Sequence, residues 1–222
     1  MLECVTVMNI VKPEVNLIGS MVPEGIDKDL EKFVVSLARS TRETLPISDI
    51  CDQTNYINHV DNLNQYLSKG HYTVFEYIQF IFEIKGISRA CSHELVRHRT
   101  ASYLQQSQRW VIPSANGIVV PSSIIEKGLG MEYKVAIAEM MKTHQSMIDS
   151  GIPKEDARFI LPNATPTRVI MRIDGRNLMH FLKLRLDKSA QWEIREVAEL
   201  MRKLAEEKCP NIFGLDKMKY WW

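Results

Sequence analysis

Residues Val74 to Lys85, VFEYIQFIFEIK, carry the strongest strand signal in the chain. Ile78, Phe80, Phe82 and Ile84 alternate with Gln79 and Glu83, the period-2 pattern of a strand with one buried face. Upstream, Tyr56, Val60, Leu63 and Leu67 recur at helical spacing, with Gly70 where a left-handed C-terminal cap sits. A further helix is predicted from Asp27 to Arg39, with Leu30, Phe33, Val34, Leu37 and Ala38 on one stripe. Val5 to Val11 reads as a strand that Pro13 ends.

Downstream, Ile87, Ala90, Cys91, Leu95 and His98 predict a helix from Ser88 to about Arg99, which runs into a polar loop from Thr100 to Gly117. Tyr133, Ala136, Ile137, Met140, Met141, His144, Met147 and Ile148 form a wide apolar stripe on a helix from Glu132 to Ile148, closed by Gly151. That stripe reads as core or subunit interface. A strand from Thr167 to Asp174, a helix from Arg176 to about Leu186 and a helix from Ala190 to Lys208, stopped by Pro210, complete the pattern. Strands and helices are interspersed without a repeated βαβ unit. The expected class is therefore α+β, with mixed helices around a mainly antiparallel sheet. At 222 residues with 45% hydrophobic content and no evident linker or repeat, residues 1–222 read as a single domain.

The formal charge of +1 argues against a general polyanion binder, but the charge is unevenly placed. Five Lys or Arg face one acid between Lys85 and Trp110, and eight face three between Arg158 and Arg195. Two basic segments in a nearly neutral chain suit a pocket for a small anion better than a stripe for a long polymer. Cys4, Cys51, Cys91 and Cys209 make no CxxC pair and no framework, so a reduced cytoplasmic compartment is expected. The N-terminus lacks a signal-peptide pattern, and no run is long enough for a membrane span.

Arg97 to Arg109 packs Arg97-His98-Arg99, Ser102, Gln105, Gln106, Ser107, Gln108 and Arg109 into thirteen residues. Guanidinium groups make paired hydrogen bonds to phosphate, and glutamine offers both donor and acceptor to a heterocycle edge. A phosphorylated heterocycle fits this inventory. A solvated basic helix end, favoured by the helix dipole, is the plain alternative for the triplet alone.

The stretch RHRTASYLQQSQRW, with seven residues between the triplet and Ser107, resembles the signature of the flavin-dependent thymidylate synthases. Trp110 stands where a tyrosine is commoner. Three more segments in the same order support the resemblance: GHYTVFEY from Gly70, Arg158 in ARFILP, and DGRNLMHFLKLRLDKSAQWEI from Asp174 to Ile194.

The resemblance implies reductive methylation of dUMP to dTMP, with methylenetetrahydrofolate as carbon donor and NADPH-reduced FAD as hydride donor. It further implies a homotetramer with active sites at subunit interfaces. Carried over by motif, the FAD contacts are Thr73, Arg97, His98, Arg99, Gln105, Asp174, Gly175, Arg176 and His180. The dUMP contacts are Glu94, Leu95, Val96, Arg97, Gln105, Gln106, Ser107, Gln108, Arg109, Arg158 and Arg185. Arg185 takes the catalytic role, since a guanidinium beside N3 and O2 favours the ionised pyrimidine and raises electron density at C5. Arg176 and Arg185 are nine residues apart, roughly 180° around a helix, which agrees with separate duties. Ser107 is read as a dUMP hydrogen-bond donor rather than a nucleophile. Asp174 replaces a common asparagine and, ionised, only accepts; Glu94 replaces a frequent glutamine and would repel a phosphate unless an arginine neutralises it.

His93-Glu94 and His98 are spaced five apart, not four as in a zinc helix, and no metal site is expected. Gly128 and Gly130 lack the rest of a dinucleotide fingerprint, so flavin binding must be non-Rossmann. Glu76 and His71 read as satisfied polar residues before ligand contacts. A nucleic-acid module using the basic segment with Tyr103 or Trp110 for stacking is the rival class, whereas the resemblance implies neither a nucleic-acid nor a membrane partner.

Overall fold

The computed structural model describes residues 9–21, 28–54, 56–113 and 117–221, with the backbone alone at 56–58. Strands β1 (Asn9–Ile10) and β2 (Glu14–Ser20) lead into helices α1 (Leu30–Ser40), α2 (Ile47–Gln53) and α3 (Tyr56–Lys69). A 3₁₀ turn (Tyr72–Tyr77) precedes β3 (Gln79–Ser88), α4 (Arg89–Leu95), β4 (Ser102–Gln105) and β5 (Gly117–Ile118). Helices α5 (Ser122–Glu126), α6 (Gly130–Asp149) and α7 (Lys154–Ala157) come next, then β6 (Pro166–Asp174), α8 (Gly175–Arg185), α9 (Trp192–Lys208) and α10 (Pro210–Phe213). The main sheet has the order β2-β3-β6-β4 and is antiparallel, as an α+β class requires. A two-stranded parallel pair joins Asn9 to Gly117 and Ile10 to Ile118.

The deciding stretch behaves as its alternation predicts over its second half. Ile78, Phe80, Phe82 and Ile84 are fully buried, while Ile81 on the other face is exposed. Its first half is not strand: Tyr72–Tyr77 winds into a 3₁₀ turn. The reason is tertiary, because the Ile78 carbonyl accepts the Gly175 N–H at 2.9 Å and buried Phe75 is packed at that helix start.

By contacts the chain divides into two compact units. The first comprises Met1–Glu14, Ile84–Arg97 and Leu104–Ile170. Its apolar cluster is Ile118, Val120, Ile137, Met141 and Ala164, with Tyr133 and Leu161 packed against it. Met140 and Met147 are exposed, so the stripe on α6 is narrower than its sequence suggests. The second unit comprises Val15–Glu83, His98–Tyr103 and Met171–Trp222. Its core includes Val34, Leu63, Phe181 and an aromatic chain in which Phe80 meets Phe82 at 5.8 Å and Phe213 at 5.6 Å, with Trp221 6.0 Å beyond Phe213.

Several boundaries differ from the sequence reading. Helix α1 starts at Leu30 because the Asp29 carboxylate caps it, accepting from the Glu31 and Lys32 N–H groups; Asp27 lies outside the described residues. Of the strand read from Val5 to Val11, Asn9 and Ile10 form β1, and residues 5–8 lie outside the described set. Helix α4 ends at Leu95, not near Arg99, and the loop from Thr100 contains β4. Cys51, Cys91 and Cys209 are free and buried. Among the described residues no helix is long and apolar enough to cross a membrane.

Candidate active site

In the first unit, α4 is capped by the Ser88 hydroxyl, which accepts the Cys91 N–H at 3.0 Å. The helix sets Glu94 and Val96 partly buried, and Arg97 exposed in the turn that follows. Leu95 is fully buried, which leaves only its backbone for any ligand contact. At the end of β4 the Gln105 amide donates to the Ser92 hydroxyl at 2.9 Å and reaches the Thr167 hydroxyl at 3.4 Å. The Gln106 N–H pairs with the Arg168 carbonyl at 2.9 Å. The chain then turns on Ser107, whose carbonyl accepts from Trp110 and Val111. The Ser107 hydroxyl accepts the Arg109 N–H at 3.2 Å and keeps its own proton to donate. Gln108 is half-buried beside it.

Two arginines read from separate sequence segments converge on one residue. The Arg109 guanidinium pairs with the Glu155 carboxylate at 2.6 Å, and Arg158 Nε donates to the Glu155 carbonyl at 3.1 Å. Sequence reasoning missed both Glu155 and Arg89. Burial, then the neighbouring Arg158 charge, lowers the Arg89 pKa, so a third guanidinium belongs to this cluster. The surplus of cations around Lys85 to Trp110 was the available signal for Arg89; nothing in the sequence pointed to Glu155.

In the second unit, Thr73 lies exposed on the 3₁₀ turn and lines a cavity of about 330 Å³ with Arg39, Arg42, Asn62, Tyr66 and His71. Asp174 caps α8: its carboxylate accepts the Asn177 N–H at 2.9 Å and the Asn177 amide at 2.6 Å. Gly175 admits no side chain, since a Cβ there would lie 2.7 Å from the Phe75 carbonyl oxygen. Arg176 pairs with Glu76, so that glutamate is satisfied within the fold. His180 is exposed one helical turn on, and Arg99 is exposed as well.

Arg185, the last residue of α8, donates through Nε to His98 Nε2 at 2.8 Å. That imidazole meets Phe181 edge-on, with centroids 4.8 Å apart, and the His98 carbonyl accepts the Tyr103 hydroxyl at 2.9 Å. Burial first, then the Arg185 and His180 charges, hold His98 down at about 4, so the ring is neutral at physiological pH. Accepting at Nε2 places its one proton on Nδ1. Burial pushes the Tyr103 phenol up, which keeps it a donor.

Comparison with known proteins agrees with this inventory. The family model described as thymidylate synthase complementing protein matches residues 24–211. A flavin-dependent thymidylate synthase of Geobacter sulfurreducens is 40% identical over 189 residues, covering 83% of this chain and 81% of that protein. One from Pyrococcus abyssi is 44% identical over 142 residues, 62% of this chain and 58% of its own length. The crystal structure of the UMP/dUMP methylase PolB from Streptomyces cacaoi, bound with 5-Br dUMP, superposes with a TM-score of 0.81 at 22% identity. It covers 96% of this chain and 97% of its own, and shows the fold. The family model and the Geobacter relative together establish that the chain belongs to the thymidylate synthase complementing protein family and is an enzyme of the flavin-dependent thymidylate synthases.

Proposed function

We propose that this enzyme converts dUMP to dTMP, with 5,10-methylenetetrahydrofolate as carbon donor and NADPH as the reductant of bound FAD. The observation that carries the reading is Arg185, held at the end of α8 with its Nε donating to a neutral imidazole. A fixed cation beside N3 and O2 stabilises charge on the pyrimidine ring and raises electron density at C5.

The residues present fit a flavin dinucleotide. The cavity beside Thr73 offers guanidinium, amide and aromatic groups of the kind that hold a nucleotide. Exposed Arg97 and Arg99 suit a pyrophosphate, and Arg176, Gln105 and His180 supply further donors, with Asp174 and Gly175 shaping the start of α8. FAD, when bound, supplies the hydride. The protein's part is to bind and orient dUMP: Arg109 and Arg158 grip the phosphate, and Arg109 exchanges its Glu155 partner for the ligand's oxygens. Ser107 donates its hydroxyl proton to dUMP, while Glu94, Val96, Gln106 and Gln108, with the Leu95 backbone, line the same ligand. The whole chain, 1–222, acts as one such domain, in a cytoplasmic homotetramer that completes its sites with residues of neighbouring copies.

Purified protein should be yellow, its flavin absorbance should bleach anaerobically with NADPH, and dTMP should form only when dUMP and methylenetetrahydrofolate are both present. A colourless protein that FAD cannot reconstitute, but that binds RNA with steep salt dependence, would sink the proposal in favour of a nucleic-acid module.

A further inference from the structure

We propose that Glu31 is a proton-operated latch for the C-terminal segment Pro210–Trp221: its protonated carboxyl holds the segment docked on α1, and ionisation favours release.

The parts all belong to the second unit. Glu31 is buried in the first turn of α1. One of its carboxyl oxygens accepts the Asn211 N–H at 2.7 Å and the other accepts the Asn211 side-chain amide at 2.8 Å, so a single side chain grips the start of α10 from 180 residues away. The rest of the segment is tied down by individual bonds. In its 3₁₀ turn from Leu215 to Tyr220, the Lys217 ammonium donates to the Asn64 carbonyl oxygen on α3 at 3.0 Å. The buried Trp221 indole donates to the Ile212 carbonyl at 3.2 Å. The Tyr72 hydroxyl donates to the Tyr220 carbonyl. Tyr72 opens the turn that carries Thr73, so the docked segment braces that turn.

Burial opposes a charge at this place. It pushes the Glu31 carboxyl up from 4.5 to about 7, against the pull of the two Asn211 donors and of Lys217, with Asp29 adding to the rise. The groups facing the carboxyl are Asp29 at the start of its own helix, His59 on α3 with Nε2 at 3.9 Å, Cys209 after α9, and Lys217. Burial first, then the Glu31 and Asp29 charges, hold the Cys209 thiol protonated. On α9, Arg202 is engaged by Glu199 and Glu206. When the segment lifts, water reaches Glu31 and its ordinary value returns. The docked state therefore binds the proton more tightly. The stability that the latch contributes is fully present below 4.5 and is lost as pH rises through about 7.

The test is hydrogen exchange on the flavin-loaded full chain, corrected for the intrinsic pH dependence of exchange. In wild type the opening equilibrium of residues 211–221 should rise about 30-fold from pH 5 to 7, the linkage of one proton. Glu31→Gln keeps an oxygen for an Asn211 donor and cannot ionise, and its opening should change by less than about 3-fold over the same range. His59→Gln should keep the rise. A flat wild-type profile, a rise that persists in Glu31→Gln, or one that disappears in His59→Gln would each overturn the latch. Carbon-13 NMR of the wild-type Glu31 carboxyl gives a reading free of any variant: a midpoint near 7 is expected, and one at the ordinary 4.5 would contradict the proposal.

Discussion

The two ends of α8 hold an arginine each and treat it in opposite ways. At the N-terminal end Arg176 meets the positive pole of the helix, and Glu76 offsets that charge. At the C-terminal end Arg185 sits where the helix dipole favours a cation, and its Nε donates to a neutral imidazole. The first arrangement balances charge locally and ties the 3₁₀ turn to the helix. The second gives the Arg185 Nε–H an acceptor that carries no charge of its own. The difference teaches that a guanidinium can be oriented by a hydrogen bond to a neutral acceptor as well as by an ion pair.

The sharpest way to break this comparison is to remove Arg185. Arg185→Ala should cut dTMP formation by about 10³-fold with flavin content unchanged, the cost of deleting a preorganised charge at the reacting centre; turnover near wild type would end its catalytic role. Next in size is the N-terminal end of the helix. Gly175→Ala puts a Cβ 2.7 Å from the Phe75 carbonyl oxygen and 3.3 Å from Ile78 Cβ. Denaturant unfolding should show a loss of about 1–3 kcal/mol, as for other overpacked sites, and an unchanged midpoint would mean that the turn and helix start yield freely.

The pH dependence sharpens the contrast from the other side. The His98 folded-state pKa, about 4, lies below its ordinary 6.5. The unfolded chain therefore binds the proton more readily, and the stability this group contributes is fully present above 6.5 and lost as pH falls through 4. Wild type should lose stability across that window relative to His98→Gln, and parallel curves would show that the ring is not held neutral. The smallest effect belongs to the compensated end. Both Arg176 and Glu76 are 43% exposed, so Glu76→Gln should change stability by less than about 1 kcal/mol. A much larger loss by thermal unfolding would make the pair structural rather than a local balance of charge.

How far the sequence reaches depends on whether a pattern is local. The alternation of Ile78, Phe80, Phe82 and Ile84 revealed β3 because every second side chain is buried. The limits of α8 and the Gly70 end of α3 followed from equally local signals. Val74 to Tyr77, the part of the 3₁₀ turn read as strand, was misread because aromatic residues with high β-propensity are used there to pack Phe75 at the start of a helix about 100 residues away. The end of α4 at Leu95 and the short β4 also escaped, since Ser102–Gln105 has no fully buried face to impose an alternation.

The candidate site shows the same division. The basic stretch and its serine are visible as a motif, whereas their partners are set by tertiary structure. His98 meets Arg185 across 87 residues. Glu155, which pairs with Arg109, lies in a segment whose only marked residue was Arg158. Asp174, read as a flavin contact, uses both carboxylate oxygens on Asn177, one accepting the N–H that caps α8 and the other the side-chain amide.

The central claim, that the chain activates dUMP at C5 for flavin-dependent methylation, is tested most directly by anaerobic tritium release from C5-labelled dUMP in the presence of NADPH and methylenetetrahydrofolate. The account predicts release that requires FAD, rises with flavin occupancy and disappears in Arg185→Ala. Release at the same rate from flavin-free protein, or none from flavin-replete wild type, would contradict it.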